Sequence, residues 1–235
     1  MQSLLSDLGW PSYQQSTVDR WKGGRHERKQ DYIAEEVPIS LIYNGLPHVV
    51  MLATPTNLEE FALGFSITEG IIKNSQELIS ARIYNRSNGI EVQLKIPDRR
   101  FQGLTDKGRN LTGRTGCGLC GASTLRQAIR QPNPVKGGLT LSAAELSSAL
   151  TDIKQHQKLN ELTGAVHAAA WAVPGQGILA IREDVGRHNA LDKLIGFLLR
   201  TGKDLSSGFV LVTSRASYEM VQKTAWVGIT LLAAI

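Results

Sequence analysis

The two cysteines of this chain lie close together in a glycine-rich segment. Cys117 and Cys120 stand in the sequence GRTGCGLCG, residues 113–121, which has glycine at four of its nine positions. Because glycine lacks a Cβ and loses the most backbone entropy on ordering, this composition predicts a pliable loop. The neighbouring Arg114 favours the thiolate over the thiol, and the thiolate is the nucleophile of sulfur chemistry. The segment is therefore predicted to present reactive thiols.

Three other uses of a C-x-x-C pair stay open. A structural zinc site takes four protein ligands, but the five histidines are scattered along the chain, so zinc would need ligands from distant loops or from a second subunit. A structural disulfide is disfavoured by the short spacing among glycines. A redox C-x-x-C is the strongest rival, although it usually opens a helix after a strand, and no apolar strand precedes Gly113. The spacing favours reactive thiols over a metal.

The composition of the 235-residue chain is ordinary for a globular protein, with 42% hydrophobic and 20% charged residues. This length predicts one large domain or two smaller ones. Two cysteines, no signal-peptide pattern and no apolar run long enough for a bilayer predict a cytoplasmic protein with reduced thiols. A net charge of +5 and a pI near 9.3 predict anionic partners, such as phosphate-bearing cofactors, nucleic acid or acidic protein surfaces.

The elements that must position the cysteine segment form two predicted domains. The first thirty residues are polar and unpatterned, which predicts a flexible arm over residues 1–30, with order beginning at Glu36. A small α+β domain is predicted over residues 31–97.

This first domain is predicted to contain two hairpins and one helix. The first hairpin turns at Asn44-Gly45, a dipeptide that supplies the positive φ angles of a type I′ turn. Thr56 and Asn57 are predicted to cap the helix that follows, with glutamates placed for a capping box, and Gly70 is predicted to end it. The second hairpin turns at Asn88-Gly89.

Residues 98–138 are predicted as a linker that holds the cysteine segment, and residues 139–235 as a second domain. Ser142 and Glu145 have the spacing of a capping box at a helix start. Apolar strand segments then alternate with amphipathic helical segments, which indicates an α/β layer with some parallel strands. Because the chain ends inside the apolar run VGITLLAAI, this domain is predicted to be truncated or shortened at its C-terminus.

Two polar clusters follow successive predicted strands of the second domain, and each opens the next helix. The first lies in residues 182–188 and the second in residues 214–219. Strand ends beside helix N-termini are favourable sites for phosphate. Arg187, Arg215 and Lys223 are suited to pair with phosphate oxygens, and Tyr218 to stack on a base or a pterin. In the alternative interpretation, Asp184 and Ser214 only cap their helices and Arg187 is solvated.

His167 lies outside both clusters. Zinc deaminases combine H-x-E with P-C-x-x-C, whereas alanines follow His167, the cysteine pair precedes it, and no proline stands before Cys117. A deaminase reaction is therefore not expected. Two roles stay open for His167, a hydrogen-bonded core residue and a residue of a binding pocket.

The chain resembles the FdhD/NarQ family from about Glu35 to its end. The resemblance rests on several blocks in order: EEVPISLIYNG, FALGFSITEGII, GRTGCGLCG, LTGAVHAAAW, EDVGRHNALDKLIG and SRASYEMVQK. It implies a cytoplasmic, homodimeric accessory sulfurtransferase for formate dehydrogenase. It also implies an α/β fold, in which a C-terminal three-layer α/β/α domain similar to the cytidine deaminase fold, without the deaminase site, accompanies a smaller N-terminal α+β domain.

The resemblance further implies the chemistry. Cys117 matches the family's persulfide-bearing cysteine and Cys120 its second cysteine. A cysteine desulfurase would supply the sulfur. The substrate would be the molybdenum (or tungsten) bis-pyranopterin guanine dinucleotide cofactor of formate dehydrogenase, with no cofactor or metal held permanently and neither nucleic acid nor a membrane as partner. Its guanine nucleotide ends, or a GDP-like nucleotide, would contact the predicted cofactor-binding residues His167, Asp184, Gly186, Arg187, His188, Ser214, Arg215, Ser217, Tyr218 and Lys223.

Two other functions remain as alternatives. The chain would act as a non-catalytic chaperone if the two polar clusters bind the cofactor while the cysteines are incidental. It would be a zinc-dependent module if the C-x-x-C pair is half of a metal site. Added sulfur on a thiol separates the sulfur carrier from the chaperone, and metal analysis of the purified protein tests the zinc module.

Overall fold

The computed structural model describes residues 10–106, 131–135 and 137–235. Within these ranges the chain forms two four-stranded sheets, a separate hairpin and the helices around them. No helix in the described ranges has both the length and the apolarity needed to cross a membrane. In chain order the elements are β1 (Tyr13–Lys22), β2 (Arg25–Ala34), β3 (Val37–Tyr43), β4 (Leu46–Ala53), α1 (Leu58–Thr68), a 3-10 turn (Ser75–Glu77), β5 (Ser80–Arg86), β6 (Gly89–Lys95), α2 (Asp98–Asp106), α3 (Ala143–His156), α4 (Lys158–Thr163), β7 (His167–Val173), β8 (Gly177–Asp184), α5 (Arg187–Arg200), β9 (Phe209–Val212), α6 (Tyr218–Trp226) and β10 (Leu232–Ala234).

The first sheet has the strand order β4-β3-β6-β5 and contains both predicted hairpins. Asn44 and Gly45 have φ angles of 47° and 86° between β3 and β4, as a type I′ turn requires. Strands β5 and β6 pair antiparallel up to Gly89, which confirms the second hairpin. Helix α1 packs on this sheet through the apolar residues Leu58, Phe61, Ala62 and Phe65.

The second sheet has the strand order β10-β9-β7-β8 and carries helices on both faces. Alternate residues of a strand point to opposite faces. One set packs with α5 and α6, namely Ala169, Trp171, Val210 and Val212. The other packs with α3, namely Ala170, Ala172, Phe209 and Leu211. Strands β9 and β10 run parallel, which confirms the prediction of some parallel pairing. Likeness to the cytidine deaminase fold stays a prediction.

The helix-start predictions have opposite outcomes. At α3, Ser142 Oγ accepts a hydrogen bond from the Glu145 backbone N–H, and the Glu145 carboxylate accepts one from the Ser142 N–H, so the predicted capping box is confirmed. At α1 the helix begins right after Asn57 as predicted, but the predicted side-chain cap is wrong, because Asn57 is left-handed with a φ of 54° and its side chain makes no capping hydrogen bond. Gly70, with a φ of 67°, follows the end of α1 as predicted.

Two predicted boundaries are also corrected. Regular structure begins well before Glu36, because Tyr13–Ala34 form the hairpin β1-β2. This hairpin has no apolar face; cross-strand polar and aromatic pairs hold it, and such pairs leave no hydrophobic period in the sequence. The segment from Asp98 onward was predicted to be a linker. It instead begins with α2, whose Phe101 and Leu104 pack against the first core.

The two sheets are joined where α1 crosses α5 with almost no side chain between them. A Cβ added to Gly64 would overlap the backbone carbonyl of Asp192, and one added to Gly196 would overlap that of Glu60. Glycine at these two positions therefore allows the helix backbones to touch.

We predict that Gly196→Ala destabilises the protein by about 1–3 kcal/mol or more, because the new methyl group forces two packed backbones apart. Urea unfolding followed by circular dichroism measures the loss. Gly103→Ala in α2 is the matched control, since nothing lies within 4 Å of a Cβ there and alanine is the better helix former, by up to about 1 kcal/mol. Equal stabilities of the two variants would contradict the close crossing.

Candidate functional site

The predicted catalytic residues Cys117 and Cys120 lie outside the described residues. Their placement on a pliable loop and their reactivity therefore stay predictions. The predicted cofactor-binding residues are all described, from His167 to Lys223.

The carboxyl ends of β8 and β9 and the start of β7 meet at one end of the strands of the second sheet, which is called the edge below. Strands β8 and β9 flank β7, and both pair antiparallel with it. Their carboxyl ends therefore lie beside the start of β7. His167 at that start is in register with Asp184, and the Ala168 N–H donates to Thr213 Oγ1 just after β9, at 2.8 Å. The structure thus brings His167 and the two predicted clusters together at one edge.

A close histidine–carboxylate contact joins the first turns of α5 and α6 at this edge. His188 Nε2 lies 2.8 Å from Glu219 Oε2, and both side chains are largely buried. Glu219 was not among the predicted site residues. In the sequence, Glu219 is only a carboxylate in the first turn of a predicted helix, where acidic residues are common. Its contact with His188 becomes visible only in the folded structure.

Neither of these helix N-termini has a side-chain cap. Gly186 and Ser217 hold the N-cap positions of α5 and α6, and neither supplies a capping hydrogen bond. Arg187 Nε and Ser217 Oγ are buried without a hydrogen-bond partner in the part of the chain described. Such unsatisfied polar atoms are uncommon in native proteins, and backbone N–H groups at a helix N-terminus attract anions. This edge therefore offers donors without partners among the described residues to an anionic group.

The remaining residues of the second cluster border the same edge. Tyr218 is 51% exposed, so a face of its ring is open to stacking. Arg215 is exposed, and Ser214 is buried with its Oγ 3.4 Å from the Arg215 carbonyl oxygen. His167 is half-buried, with Nδ1 3.4 Å from the Thr213 carbonyl oxygen. Direct cofactor contact by these residues stays a prediction.

Asp184 is fully buried and holds the loop after β4 against the second sheet. Its carboxylate accepts hydrogen bonds from the Thr54 and Gly186 backbone N–H groups and from Asn189 Nδ2, at 2.8 to 3.1 Å. Its Oδ2 also lies 2.7 Å from Lys193 Nζ, and burial lowers the pKa of Lys193. Both carboxylate oxygens are thus occupied within the protein, which gives Asp184 a structural role at the rim of the site.

Lys223 likewise joins the two halves of the molecule. Its Nζ lies 2.9 Å from Thr68 Oγ1, 3.1 Å from Glu69 Oε1 and 2.9 Å from Asp192 Oδ2. Burial alone would lower the pKa of Lys223, but attraction to Asp192 and Glu69 outweighs it and raises that pKa, which favours the ammonium form. With its ammonium group surrounded by these oxygens, Lys223 is placed to hold α6 against α1, and cofactor contact by it stays a prediction.

A third buried charge cluster lies around Glu60 and was not predicted, although its Arg182 belongs to the first predicted polar cluster. Glu60 in α1 accepts hydrogen bonds from Arg182 and Arg200, and the Arg182 guanidinium lies 4.2 Å from the Phe197 ring centroid. These partners are more than one hundred residues from Glu60 along the chain, so no local sequence pattern predicts the contacts. The cluster adds another polar link between the two halves.

The comparisons with known proteins agree with this fold. The model of the FdhD/NarQ family matches residues 34–235. This chain therefore belongs to the FdhD/NarQ family.

Two relatives share nearly all of the chain. The Sulfur carrier protein FdhD of Cupriavidus necator is 49% identical over 233 residues, which cover 99% of this chain and 81% of that protein. The protein of the same name from Xanthomonas euvesicatoria pv. vesicatoria is 48% identical over 219 residues, which cover 93% and 78%.

A crystal structure shows the same fold. It is of a protein from Desulfotalea psychrophila described as a formate dehydrogenase accessory protein. It matches with a TM-score of 0.71 at 23% identity, over 95% of this chain and 84% of that one.

We predict that Lys223→Met destabilises the protein by about 3–5 kcal/mol, because it leaves the buried carboxylate of Asp192 without its counter-ion. Urea unfolding measures the loss. The control is Arg86→Met, which breaks the half-exposed pair with Glu91 and should lose less than about 1 kcal/mol. The double variant Lys223→Met with Asp192→Asn should recover part of the loss. A Lys223→Met variant no less stable than the control would contradict this role.

Proposed function

We propose that this chain is a cytoplasmic sulfur carrier that serves formate dehydrogenase. The observation that carries the proposal is 49% identity over 233 residues to a protein named Sulfur carrier protein FdhD. Such a carrier needs a reactive thiol, and Cys117 and Cys120 supply the thiols of this chain. It also needs a place to hold its acceptor, for which the edge at the starts of α5 and α6 is suited.

In the first step, the Cys117 thiolate attacks the terminal sulfur of a persulfide on a cysteine desulfurase. A new S–S bond forms on Cys117, the donor's S–S bond breaks, and the donor cysteine leaves as a thiolate. The reaction is favoured by a low thiol pKa and by access, which Arg114 and the surrounding glycines would provide.

In the second step, the terminal sulfur passes to the substrate, the molybdenum or tungsten bis-guanine-dinucleotide cofactor. The S–S bond on Cys117 would break, Cys117 would return to the thiolate, and the terminal sulfur would bind the metal as sulfide. The two electrons would come from a metal ion in its +4 state, which would become +6. The substrate carries two nucleotide tails, and a homodimer of this basic chain would offer one anion site to each.

The donors of the edge fit a nucleotide tail. Two helix N-termini converge there, Arg187 Nε and Ser217 Oγ have no partner among the described residues, and the Tyr218 ring is exposed. A diphosphate accepts hydrogen bonds from such donors, and an aromatic ring is suited to stack on a base.

Sulfur loading tests the reaction. After incubation with a cysteine desulfurase and cysteine, we expect mass spectrometry to find an added sulfur atom on the wild-type chain and on Cys120→Ala but none on Cys117→Ala. Cys117→Ala should also abolish maturation of formate dehydrogenase while the circular dichroism spectrum stays unchanged. Loading of Cys117→Ala equal to that of the wild type would refute the role of Cys117. Absence of sulfur from every form would favour a non-catalytic chaperone.

Nucleotide binding tests the edge. We expect Arg187→Gln to weaken GDP binding in calorimetry by about tenfold to a hundredfold, because a charge-assisted hydrogen bond contributes about 1.5–3 kcal/mol. The matched control is Arg82→Gln on β5 of the other sheet, an exposed position that should leave GDP affinity unchanged. Equal affinities of Arg187→Gln and the control would place the nucleotide elsewhere.

A further inference from the structure

The hairpin β1-β2 stands apart from both sheets. Its two ten-residue strands pair in continuous register from Tyr13 opposite Ala34 to Lys22 opposite Arg25, and most of its residues are exposed. Gly23 and Gly24, with φ angles of 58° and 78°, form the turn at its tip. Strand β2 contacts α4, but a two-stranded hairpin has little stability of its own in water, so this long and mostly exposed pair of strands is a candidate docking element.

Cations without carboxylate partners gather toward the tip of this hairpin. All three carboxylates of residues 13–34 are taken, because Asp19 pairs with His26, Glu27 with Arg20, and Asp31 with Lys29. Among the described residues, no ion pair involves the remaining cations, Lys22, Arg25 and Arg28. Lys22 and Arg25 are direct cross-strand neighbours, and like charges placed opposite each other destabilise a hairpin. A partner with negative charge would relieve that repulsion.

An exposed aromatic residue accompanies these cations. Trp21 is 70% exposed, with its ring centroid 4.5 Å from that of His26. Tryptophan and arginine are enriched among the residues that contribute most to protein–protein affinity. The tip of the hairpin, residues 21–25, therefore combines a large exposed ring with charges that have no partner.

The charge pattern favours a protein partner. The hairpin carries five Lys/Arg and three Asp/Glu residues, a net charge of +2. Interspersed carboxylates would repel the phosphates of nucleic acid, which is bound through many cations, and anionic membranes are recognised by denser basic clusters. A second copy of this chain is itself basic, with a net charge of +5. An acidic protein surface is the complementary partner.

The comparisons indicate which protein carries this surface. The family model begins at residue 34, but the hairpin is shared with relatives, since the Cupriavidus necator protein aligns over 233 of the 235 residues. The proposed function names formate dehydrogenase as the protein that the carrier serves, and a Desulfotalea psychrophila protein of the same fold is described as a formate dehydrogenase accessory protein. We therefore take formate dehydrogenase as the protein with the acidic surface.

We propose that the tip of the β1-β2 hairpin docks on an acidic surface of the formate dehydrogenase that this chain serves, with Trp21 as its anchor and Lys22 and Arg25 as its paired charges. This inference rests on the proposed function, because it takes formate dehydrogenase as the recipient. Docking there would hold the carrier on its target during transfer.

The test measures binding of the purified formate dehydrogenase from the same organism by biolayer interferometry. We expect Lys22→Gln with Arg25→Gln to weaken binding by about tenfold or more, with a slower association and a smaller dependence on salt. Trp21→Ala should weaken binding by a similar factor, mainly through faster dissociation. Removing two like charges relieves repulsion within the hairpin. We therefore do not expect unfolding of the hairpin to cause the loss of binding.

The matched control is Lys95→Gln with Lys203→Gln, which makes the same change in net charge at exposed positions outside the hairpin and should bind like the wild type. Unchanged binding by the tip variants, or equal weakening by the control, would overturn the inference while leaving the proposed function intact. A loss of binding to cysteine desulfurase, duplex DNA or phosphatidylserine vesicles instead of formate dehydrogenase would also overturn it. Failure of the wild type to bind formate dehydrogenase would overturn this inference, whereas the sulfur-loading experiment decides the proposed function.

Discussion

The close crossing of α1 and α5 is the constraint on which the rest of this structure depends. Gly64 and Gly196 let the two helix backbones touch, so the polar side chains on either side of the contact are sealed from water. Buried charges are unfavourable unless they are paired and hydrogen-bonded. Three clusters meet this requirement across the joint, around Asp184, Asp192 and Glu60.

This joint also sets the position of the functional edge. Helix α5 begins at the edge with Arg187 and His188 and continues into the crossing with Asp192, Lys193 and Gly196. Because its body is fixed by glycine contact and ion pairs, its first turn is held in place relative to α6, to which the His188–Glu219 pair connects it. Helix N-termini held in this way provide preorganised donors, and preorganisation reduces the free-energy cost of ordering when an anion binds.

The sequence predicted the elements whose causes are local. Asn44-Gly45 requires a tight turn, Ser142 and Glu145 satisfy each other within one helical turn, and each signal was read correctly because its partners lie within four residues. Asparagine is a common capping residue, so Asn57 predicted a side-chain cap, but its backbone is left-handed and its side chain makes no capping hydrogen bond. The hairpin at residues 13–34 lacked any hydrophobic period that could reveal it.

The roles of the charged residues were harder to predict than the elements that carry them. The two polar clusters were expected at the ends of neighbouring strands, and the fold brings their first residues together beside His167. Lys223 lies instead in the joint with α1, beside Thr68 and Asp192. Whether a carboxylate or an ammonium faces a ligand or a partner depends on contacts such as Thr68 with Asp192, which are 124 residues apart. Only the assembled fold distinguishes the buried charges that join the two sheets from donors such as Arg187 Nε, which have no partner among the described residues.

A crystal structure of the chain with GDP tests most directly which charged residues join the two sheets and which bind the ligand. We expect the diphosphate to lie between the first turns of α5 and α6, within hydrogen-bonding distance of Arg187 and Ser217, with the Asp184 and Lys223 ion pairs unchanged. A diphosphate bound at another surface, or one that displaces Asp192 from Lys223 to contact the ammonium, would contradict the arrangement derived from this fold.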